Sequence, residues 1–370
     1  MEHKTNKDTL GTILEIVRMS TEDGPGIRTT VFFKGCSLNC LWCHNPESIS
    51  PKPQIQWLAV SCIGCGICVN TCPEKALEKT EKDIIINRSA CNGCGLCTEE
   101  CPTTAMELLG KKWNVHDLAD ELVKDRAYFE PSGGGVTLSG GEAALQNDFC
   151  LALLKELKSR GIQTALDTCG QVSQALLASL LPYVDILLYD LKEIDSEKHK
   201  KYTGAGNEKI LANAIFAANY KKTHISPKTF WIRTPVIPGA TDTAENIRGI
   251  GDFISENLHG AVARWELCAF NNLCRDKYTR LGMNWPFADK ELPERSLMEE
   301  LSLIAKSRVA PSLVCWSGST KLEQGASDKL RGNAISKSKM ISRRQGEDEE
   351  AYFTYVEDAD DDANKDSALI

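Results

Sequence analysis

The chain has 370 residues, of which 42% are hydrophobic and 25% charged, a composition typical of globular proteins. Its net charge of −8 is concentrated at one end, because residues 345–370 carry ten acidic side chains and one basic side chain. The sequence shows no basic stripe, no run of eighteen apolar residues and no apolar export segment near its start. It therefore predicts a cytoplasmic protein that binds neither nucleic acid nor a membrane.

In chain order, residues 11–33 predict two strands around a turn at residues 23–26, and a cysteine loop follows them. Residues 51–110 are a cysteine-rich insert with an internal repeat, and residues 116–129 predict an amphipathic helix. From residue 135 onward, short apolar segments alternate with helical segments. The predicted later strands cover residues 136–138, 163–167, 185–190, 230–234, 263–268 and 313–316, with helices over residues 142–160 and 175–181 among those between them.

Repeated strand–helix units predict an α/β fold with a parallel sheet and crossover helices. A full or partial (β/α) barrel fits this pattern, and a doubly wound open sheet is the alternative. The predicted domains are one core, formed by residues 11–50 and 111–318, and the insert at residues 51–110. Residues 320–370 are predicted to be a disordered charged tail, either a solvated extension or a docking segment for a partner.

Sixteen cysteines are present, and eleven of them lie between Cys36 and Cys101 at short spacings that favour a shared metal over disulfides. Cys36, Cys40 and Cys43 form a CxxxCxxC loop. An iron–sulfur cubane normally takes four thiolates, so a loop with three leaves one iron open to another ligand. The alternatives are a structural zinc ion, or a cluster completed by a distant cysteine such as Cys169 or Cys268.

The insert contains the pattern CxxCxxCxxxCP twice, as in bacterial two-cluster ferredoxins, where the fourth cysteine of each run ligates the other cluster. We name the resulting ligand sets the first quartet and the second quartet. The first quartet is Cys62, Cys65, Cys68 and Cys101, and the second is Cys91, Cys94, Cys97 and Cys72. The sequence thus predicts three [4Fe–4S] clusters in all. Two zinc knuckles are the alternative, and the insert clusters are either electron relays or structural.

Five ordered motifs within residues 11–318 carry a family resemblance. They are DGPGIRTTVFFKGCSLNCLWCHNPES, SGGEAALQ, DTCG, YDLK and IRTPVIPG. Together they resemble the radical S-adenosylmethionine superfamily, and within it the activating enzymes of glycyl-radical enzymes. The resemblance implies a radical-SAM barrel and reductive cleavage of S-adenosylmethionine to a 5′-deoxyadenosyl radical. That radical takes hydrogen from a glycine of a partner glycyl-radical enzyme, with reduced ferredoxin or flavodoxin as the electron donor, in an oxygen-sensitive reaction.

The resemblance also implies site residues, beginning with Cys36, Cys40 and Cys43 as ligands of the catalytic cluster. The implied cofactor-binding positions are Trp42, Cys43, His44, Gly140, Gly141, Glu142, Asp190, Leu191, Lys192, Arg233 and Asn271. Asp167, Thr168 and Asp190 are implied to hold a monovalent cation. Where many relatives have a tyrosine–histidine pair, this sequence has Phe270-Asn271, which removes an imidazole and leaves an amide. Taken alone, Glu142 could instead start a helix, Asp190 could be solvated, and Arg233 could pair with a buried carboxylate.

The partner is the least determined part of the prediction. The two-cluster insert resembles that of activases for decarboxylases, dehydratases, carbon–nitrogen lyases and hydrocarbon–fumarate-adding synthases. Residues 270–274 favour a benzylsuccinate-synthase-type partner. Two other functions remain open at this point, namely a radical-SAM enzyme that acts on a small molecule and an iron–sulfur protein that only transfers electrons.

Overall fold

The computed structural model describes residues 9–258 and 260–321. Nearly all of the predicted tail, from residue 322 onward, lies outside these described residues. Within them, none of the helices combines the length and the apolar character that crossing a bilayer requires.

A nine-stranded sheet forms the centre of the described chain, and two small two-stranded sheets lie outside it. The strands are β1 (Leu10–Ser20), β2 (Arg28–Phe33), β3 (Gln54–Trp57), β4 (Leu77–Lys79), β5 (Ile84–Ile86), β6 (Met106–Leu109), β7 (Lys111–Asn114), β8 (Gly135–Gly140), β9 (Thr164–Thr168), β10 (Ile186–Asp190), β11 (Thr229–Val236), β12 (Arg264–Ala269) and β13 (Val314–Ser317). The large sheet has the order β13-β12-β11-β10-β9-β8-β2-β1-β7. β1 is antiparallel to both of its neighbours, and the other neighbouring pairs are parallel.

The strand order decides between the two topologies that the sequence left open. From β8 to β13 each strand pairs with the next one along the chain, so the order never reverses. A doubly wound sheet requires a reversal, at which its ligand site forms. The observed order is the singly wound order of (β/α) barrels, and in the described residues β13 and β7 do not pair to close the sheet.

Helices connect most of the parallel strands. They are α1 (Ile67–Thr71), α2 (Leu96–Glu99), α3 (Val115–Val123), α4 (Arg126–Ser132), α5 (Asn147–Ser159), α6 (Gln174–Leu180), α7 (Ser196–Thr203), α8 (Glu208–Thr223), α9 (Ala244–Asn257), α10 (Arg275–Leu281) and α11 (Arg295–Lys306). The helix predicted over residues 116–129 is in fact two helices, α3 and α4. The helix predicted from residue 142 begins only at Asn147, after a 3-10 turn at Ala143–Gln146.

The parallel strands are buried on both faces, as their sequences indicate. In β8, β9 and β10 nearly every residue is buried, which matches their continuous apolar runs. Because the strands are parallel, their carboxyl ends meet at one edge of the sheet. Phe33, Gly140, Thr168, Asp190 and Ala269 all end strands at this edge. Side chains that follow these positions are therefore brought together.

Two short antiparallel strand pairs and two short helices are the main elements of residues 54–109. β3 pairs with β6 and β4 pairs with β5, both antiparallel. α1 and α2 each begin after a glycine with a left-handed backbone, Gly66 with φ 77° and Gly95 with φ 89°. Glycine adopts this conformation without steric cost, so the chain can turn sharply between the second cysteine of each run and the helix that follows.

Arg28, at the start of β2, is a fully buried arginine that joins the turn before it to β8. Its guanidinium donates to Thr137 Oγ1 (2.6 Å), to Gln163 Oε1 (2.8 Å) and to the carbonyl oxygen of Val136 (3.0 Å). Burial lowers its pKa to about 10, so the neighbouring acceptors are needed to hold the charge. Arg28 is thus a structural residue at the edge of the sheet opposite the strand ends.

We expect Arg28→Met to lower the free energy of unfolding by about 3 kcal/mol, because it leaves several buried acceptors without a donor. Anaerobic denaturant unfolding followed by circular dichroism measures this change. Arg18→Met is the matched control, since Arg18 pairs with Glu121 and Asp125 but keeps 35% of its side chain exposed. Its expected cost is below about 1 kcal/mol. Equal losses in the two variants would contradict the role assigned to Arg28.

Candidate active site

The loop that carries the three cysteines, residues 35–46 (the catalytic loop), is held by backbone hydrogen bonds from two sides. After β2, the amides of Gly35 and Cys36 donate to the carbonyl oxygens of Ser48 (2.7 Å) and Ile49 (3.1 Å). Further along, the amides of Asn39 and Leu41 donate to carbonyl oxygens at the end of α7, at 2.8 and 2.9 Å. The positions of the cysteines are therefore set by the protein backbone around the loop.

The three thiols differ in their surroundings. Burial raises the pKa of Cys40 to about 11, although the Lys192 ammonium acts in the opposite direction. Burial also raises the pKa of Cys43. The pKa of Cys36 is lowered, chiefly by a hydrogen bond from Cys169. Because metal ligation requires thiolates, a positive charge such as that of Lys192 favours a metal-bound state of this loop.

The three thiols of the catalytic loop are a donor set that suits an iron–sulfur cluster. Within residues 9–258 and 260–321, no group of three or more His, Cys, Asp or Glu side chains is arranged to hold a single metal ion. A cubane is larger and gives each thiolate its own iron, so its ligands stand further apart. Three sulfur donors on one loop are the donor chemistry that an iron–sulfur cluster requires.

A cleft of about 260 Å³ opens beside the catalytic loop at the carboxyl ends of the strands. Its lining residues are Cys40, Trp42, Cys43, His44, Asn45, Ser139, Gly140, Asp167, Asp190, Lys192, Arg233, Pro235, Ile237, Cys268, Ala269 and Phe270. The cleft thus combines thiols with both acidic and basic side chains. Larger cavities of about 860 and 670 Å³ lie elsewhere, between residues 54–109 and α10, and contain no such combination of thiols and charges.

The charged side chains of the cleft form two pairs. Lys192 Nζ lies 2.5 Å from Asp190 Oδ2, and Arg233 Nη1 lies 3.6 Å from Asp167 Oδ2. Ser139 Oγ donates to the same Asp167 oxygen at 2.7 Å. Although Lys192 is buried, Asp190 and Cys40 raise its pKa, so it stays charged. The cleft therefore presents fixed charges of both signs.

Three buried polar atoms of the cleft have no hydrogen-bond partner among the described residues. They are Asp167 Oδ1, Arg233 Nε and His44 Nε2. Burial raises the pKa of Asp167 to about 6, so its ionised form is incompletely stabilised by the protein alone. Unpartnered buried groups of this kind are costly unless a ligand satisfies them. An unpartnered carboxylate oxygen and an unpartnered guanidinium nitrogen together match a ligand that carries an ammonium and a carboxylate.

Glu142 lies outside this cleft and has a different environment from the one expected. Its carboxylate is fully buried and accepts from Thr168 Oγ1 (2.8 and 2.9 Å), from the Cys169 amide (2.9 Å) and from Cys169 Sγ (3.0 Å). Its own amide donates to the carbonyl oxygen of Gly35 at 2.8 Å. Glu142 therefore ties the ends of β8 and β9 to the start of the catalytic loop.

Most of the sequence-predicted site residues share the cleft. Those that line it are Cys40, Trp42, Cys43, His44, Gly140, Asp190, Lys192 and Arg233. Those that do not are Cys36, Gly141, Glu142, Leu191 and Asn271. Leu191 is buried, and Asn271 Oδ1 accepts from the Leu273 amide at 3.2 Å. Of the expected cation ligands, Asp167 and Asp190 line the cleft, whereas Thr168 donates to Glu142.

Several residues that line the cleft were not assigned to it from the sequence. Ser139 supplies a hydroxyl group, and Pro235, Ile237 and Ala269 supply apolar surface. Cys268, which the sequence offered only as a distant ligand of the cluster, also lines the cleft. Cys268 and Cys169 both lie near the catalytic loop in space, one in the cleft and the other against Cys36. These residues could have been identified from the sequence by their positions at or just after the ends of predicted strands, because functional side chains collect at that edge of a parallel sheet.

In the insert, each quartet surrounds one small cavity. The first quartet lines a cavity with Trp57, Ile84 and Met106, and the second quartet lines another with Ile55 and Leu77. The fourth cysteine of each run faces the other run's cavity, which is the crossed arrangement expected from the sequence. Apart from the exposed Cys65 and Cys94, these residues belong to a separate small hydrophobic core. The four-thiol sets fit two cubanes with complete ligation.

Known proteins resemble this chain over most of its length. Residues 22–211 match the family model for a 4Fe-4S single cluster domain. The chain is 39% identical to the (2S)-3-sulfopropanediol dehydratase activating enzyme of Klebsiella oxytoca, over 81% of this chain and 95% of that protein. It is 38% identical to the trans-4-hydroxy-L-proline dehydratase activating enzyme of Clostridioides difficile, over 78% and 94%.

A third relative is the benzylsuccinate synthase activating enzyme of Thauera aromatica, which is 38% identical over 73% of this chain and 81% of that protein. The three identities are nearly equal, so they do not rank one partner above another. These similarities extend over most of each chain. The chain belongs to the radical S-adenosylmethionine family of glycyl-radical enzyme activating enzymes.

Proposed function

We propose that this enzyme cleaves S-adenosylmethionine reductively at the catalytic loop and takes a hydrogen atom from the Cα of a glycine in a glycyl-radical enzyme. The observation that carries this proposal is one cleft in which loop thiols meet unpartnered groups of both charges. S-Adenosylmethionine carries an ammonium, a carboxylate and a sulfonium, so it can use all of these contacts. The family relationship supports the same activity.

The residues have separate tasks in this proposal. Cys36, Cys40 and Cys43 would hold a [4Fe–4S] cluster, which supplies an open iron and one electron. Arg233 binds the carboxylate of the methionine portion, and Asp167 binds its ammonium with Ser139 as a second acceptor. The positive charge of Arg233 and the negative charge of Asp167 are held in place before the ligand binds. The cleft can therefore orient the sulfonium of the ligand towards the catalytic loop.

The apolar wall of the cleft limits side reactions of the radical. Ile237, Phe270 and Ala269 line the side of the cleft at the ends of β11 and β12. Phe270 is 1% exposed and belongs to an aromatic cluster with Trp42, Tyr278 and Trp285. Ile237, Phe270 and Ala269 exclude water from this side of the cleft, and none of the three carries a thiol or phenol hydrogen that a carbon radical would remove readily.

We further propose three [4Fe–4S] clusters in all, with a cation near Asp167 and Asp190. The insert clusters pass electrons from reduced ferredoxin or flavodoxin, and the expected location is the cytoplasm, where thiols stay reduced. Support for two insert clusters comes from the crossed quartets around their two cavities. The relatives act on dehydratases as well as on benzylsuccinate synthase, so the partner class is left to experiment.

The test combines reconstituted enzyme, S-adenosylmethionine and a reductant with purified glycyl-radical enzymes, under anaerobic conditions. A dehydratase and a benzylsuccinate synthase serve as the two candidate partners. We expect one of them to develop the doublet EPR signal of a glycyl radical, with one 5′-deoxyadenosine formed per radical. The matched control is the same partner with its glycine replaced by alanine. Steady formation of 5′-deoxyadenosine with a small molecule and no partner would contradict the proposal.

A further inference from the structure

The two quartets of the insert differ in their contacts with the rest of the protein. On the side of the second quartet, Gly93 lies between Cys91 and Cys94 with a left-handed backbone (φ 71°). A Cβ on Gly93 would lie 2.4 Å from the carbonyl oxygen of Pro53. Only a residue without a side chain allows so close an approach. The loop of the second quartet is therefore packed directly against residues 51–53, the first residues of the insert, which form the linker to the core.

The same linker packs against the catalytic loop. A Cβ on Gly35, the residue before Cys36, would lie 3.3 Å from Pro51 Cβ. Pro51 and Pro53 are two residues apart, and two residues of extended chain span at most about 7 Å. The loops of the catalytic cysteines and of the second quartet thus touch neighbouring points on one short stretch of backbone.

A buried lysine fixes this linker in place. Lys34 is 1% exposed, and its Nζ donates to the carbonyl oxygen of Glu47 (2.5 Å) and to Gln54 Oε1 (3.1 Å). Gln54 begins β3, so Lys34 joins the start of the insert to the end of β2. The buried hydrogen bonds of Lys34 therefore fix the distance between the catalytic loop and the loop of the second quartet.

The first quartet has no comparable contact. No described residue lies within 4 Å of a Cβ placed on Gly64, and the nearest atom to one on Gly66 is Lys79 Cδ at 3.7 Å, itself within the insert. Trp57 and Ile84, which line the cavity of the first quartet, also line the 670 Å³ cavity that separates it from α10. Nearby Val60 and Ile63 are 97% and 67% exposed. The first quartet therefore faces an open cavity on the side of α10, and its neighbours Val60 and Ile63 are exposed to solvent.

We propose that the second quartet is the inner station and the first quartet the outer station of an electron path to the catalytic loop. This order rests on the proposed function, because it presumes that the insert carries electrons. One electron leaves a reduced flavodoxin or ferredoxin, enters at the first quartet, passes to the second and reaches the catalytic loop. Each transfer oxidises one site and reduces the next by one electron. Tunnelling through packed backbone is far faster than across an open gap, which favours this order over the reverse.

Two cysteines at equivalent positions of the repeat provide matched variants. Cys65 of the first quartet and Cys94 of the second are both exposed, so neither substitution leaves a cavity in a packed core. In fully reduced enzyme, each variant retains the catalytic cluster and one intact insert cluster. We expect the catalytic EPR signal to be broadened by spin coupling in Cys65→Ala and much less broadened in Cys94→Ala. Stronger coupling in Cys94→Ala would overturn the order.

Reduction by flavodoxin gives a second readout. In Cys94→Ala we expect the first-quartet signal to appear at the normal rate while the catalytic cluster is reduced at least tenfold more slowly. In Cys65→Ala both remaining clusters should be reduced slowly. The order is overturned if Cys94→Ala leaves reduction of the catalytic cluster unchanged. Cys65→Ser and Cys94→Ser keep an oxygen ligand and replace the alanine variants if those fold poorly.

The proposed function is tested separately by the unaltered enzyme with dithionite, a small reductant that needs no relay. If that enzyme forms no glycyl radical on any partner, the activating function fails. If it forms the radical but the variants show the opposite coupling or reduction order, only the order of the quartets fails. If the EPR signals of both insert clusters are absent from the unaltered, reduced enzyme, the proposed electron path is contradicted.

Discussion

Replacement of Cys40 by alanine is expected to abolish both S-adenosylmethionine cleavage and glycyl-radical formation. Cys40 lies in the cleft, where burial raises the pKa of its thiol to about 11 and the Lys192 ammonium favours the thiolate that metal ligation requires. With two thiolates in place of three, the loop cannot hold a cubane against loss of iron. Anaerobic assay of 5′-deoxyadenosine and EPR of the partner measure the loss, which should reach the detection limit.

Cys315→Ala provides the matched control for this experiment. Cys315 lies on β13, away from the cleft, and contacts the Arg264 side chain (2.9 Å). We expect this variant to keep its cleavage activity and its iron content. In Cys40→Ala the iron of the insert should remain, so iron analysis should fall by about one cluster rather than to zero. Retained cleavage in Cys40→Ala would show that another residue completes the site and would contradict the assignment.

Arg233→Met is expected to weaken the binding of S-adenosylmethionine by about 10- to 100-fold. The guanidinium lies in the cleft with its Nε unpartnered and its Nη1 3.6 Å from Asp167. A charged hydrogen bond to a carboxylate contributes about 1.5–3 kcal/mol, which corresponds to that range of affinity. Binding is measured in reduced enzyme by the change that the nucleotide produces in the EPR signal of the cluster.

The neighbouring strand supplies the control. Arg264 on β12 pairs with Glu266 at 3.1 Å and stacks over Trp231, and it does not line the cleft. Arg264→Met should leave the affinity within about twofold, since a partly exposed ion pair contributes little. Arg233→Lys should recover part of the loss, because it restores the charge without the fork of donors. Equal weakening by Arg233→Met and Arg264→Met would contradict a role for Arg233 in binding.

The parallel strands from β8 onward could be predicted closely because each is a short apolar run between turn residues, whereas β3 to β7 were not predicted. The predicted strand at residues 185–190 differs by one residue from β10, and that at residues 263–268 is shifted by one from β12. The start of α5 could not be predicted. The carboxylate of Glu142 binds Thr168 and Cys169, which are distant in sequence, and this contact replaces the helical turn that local propensity favours.

The site was partly predictable for a similar reason. Cys40, Cys43, Asp190 and Arg233 stand within motifs or at strand ends, and the parallel sheet brings them to one edge. Asn271 was expected there as well, but its side chain caps the following turn while Phe270 lines the cleft. Which of two adjacent residues faces a cleft depends on the path of the loop, and the sequence does not encode that path in any local pattern.

The hydrogen bonds that hold the catalytic loop have a consequence for repair after exposure to air. The amides of Asn39 and Leu41 are fixed by carbonyl oxygens at the end of α7, and these hydrogen bonds join protein atoms only. We therefore expect the loop to keep its shape when the cluster is lost, so that little chain entropy must be lost again when iron and sulfide return. Enzyme that has lost its cluster in air should thus regain it from a scaffold protein that delivers a preassembled cubane, without being denatured and refolded.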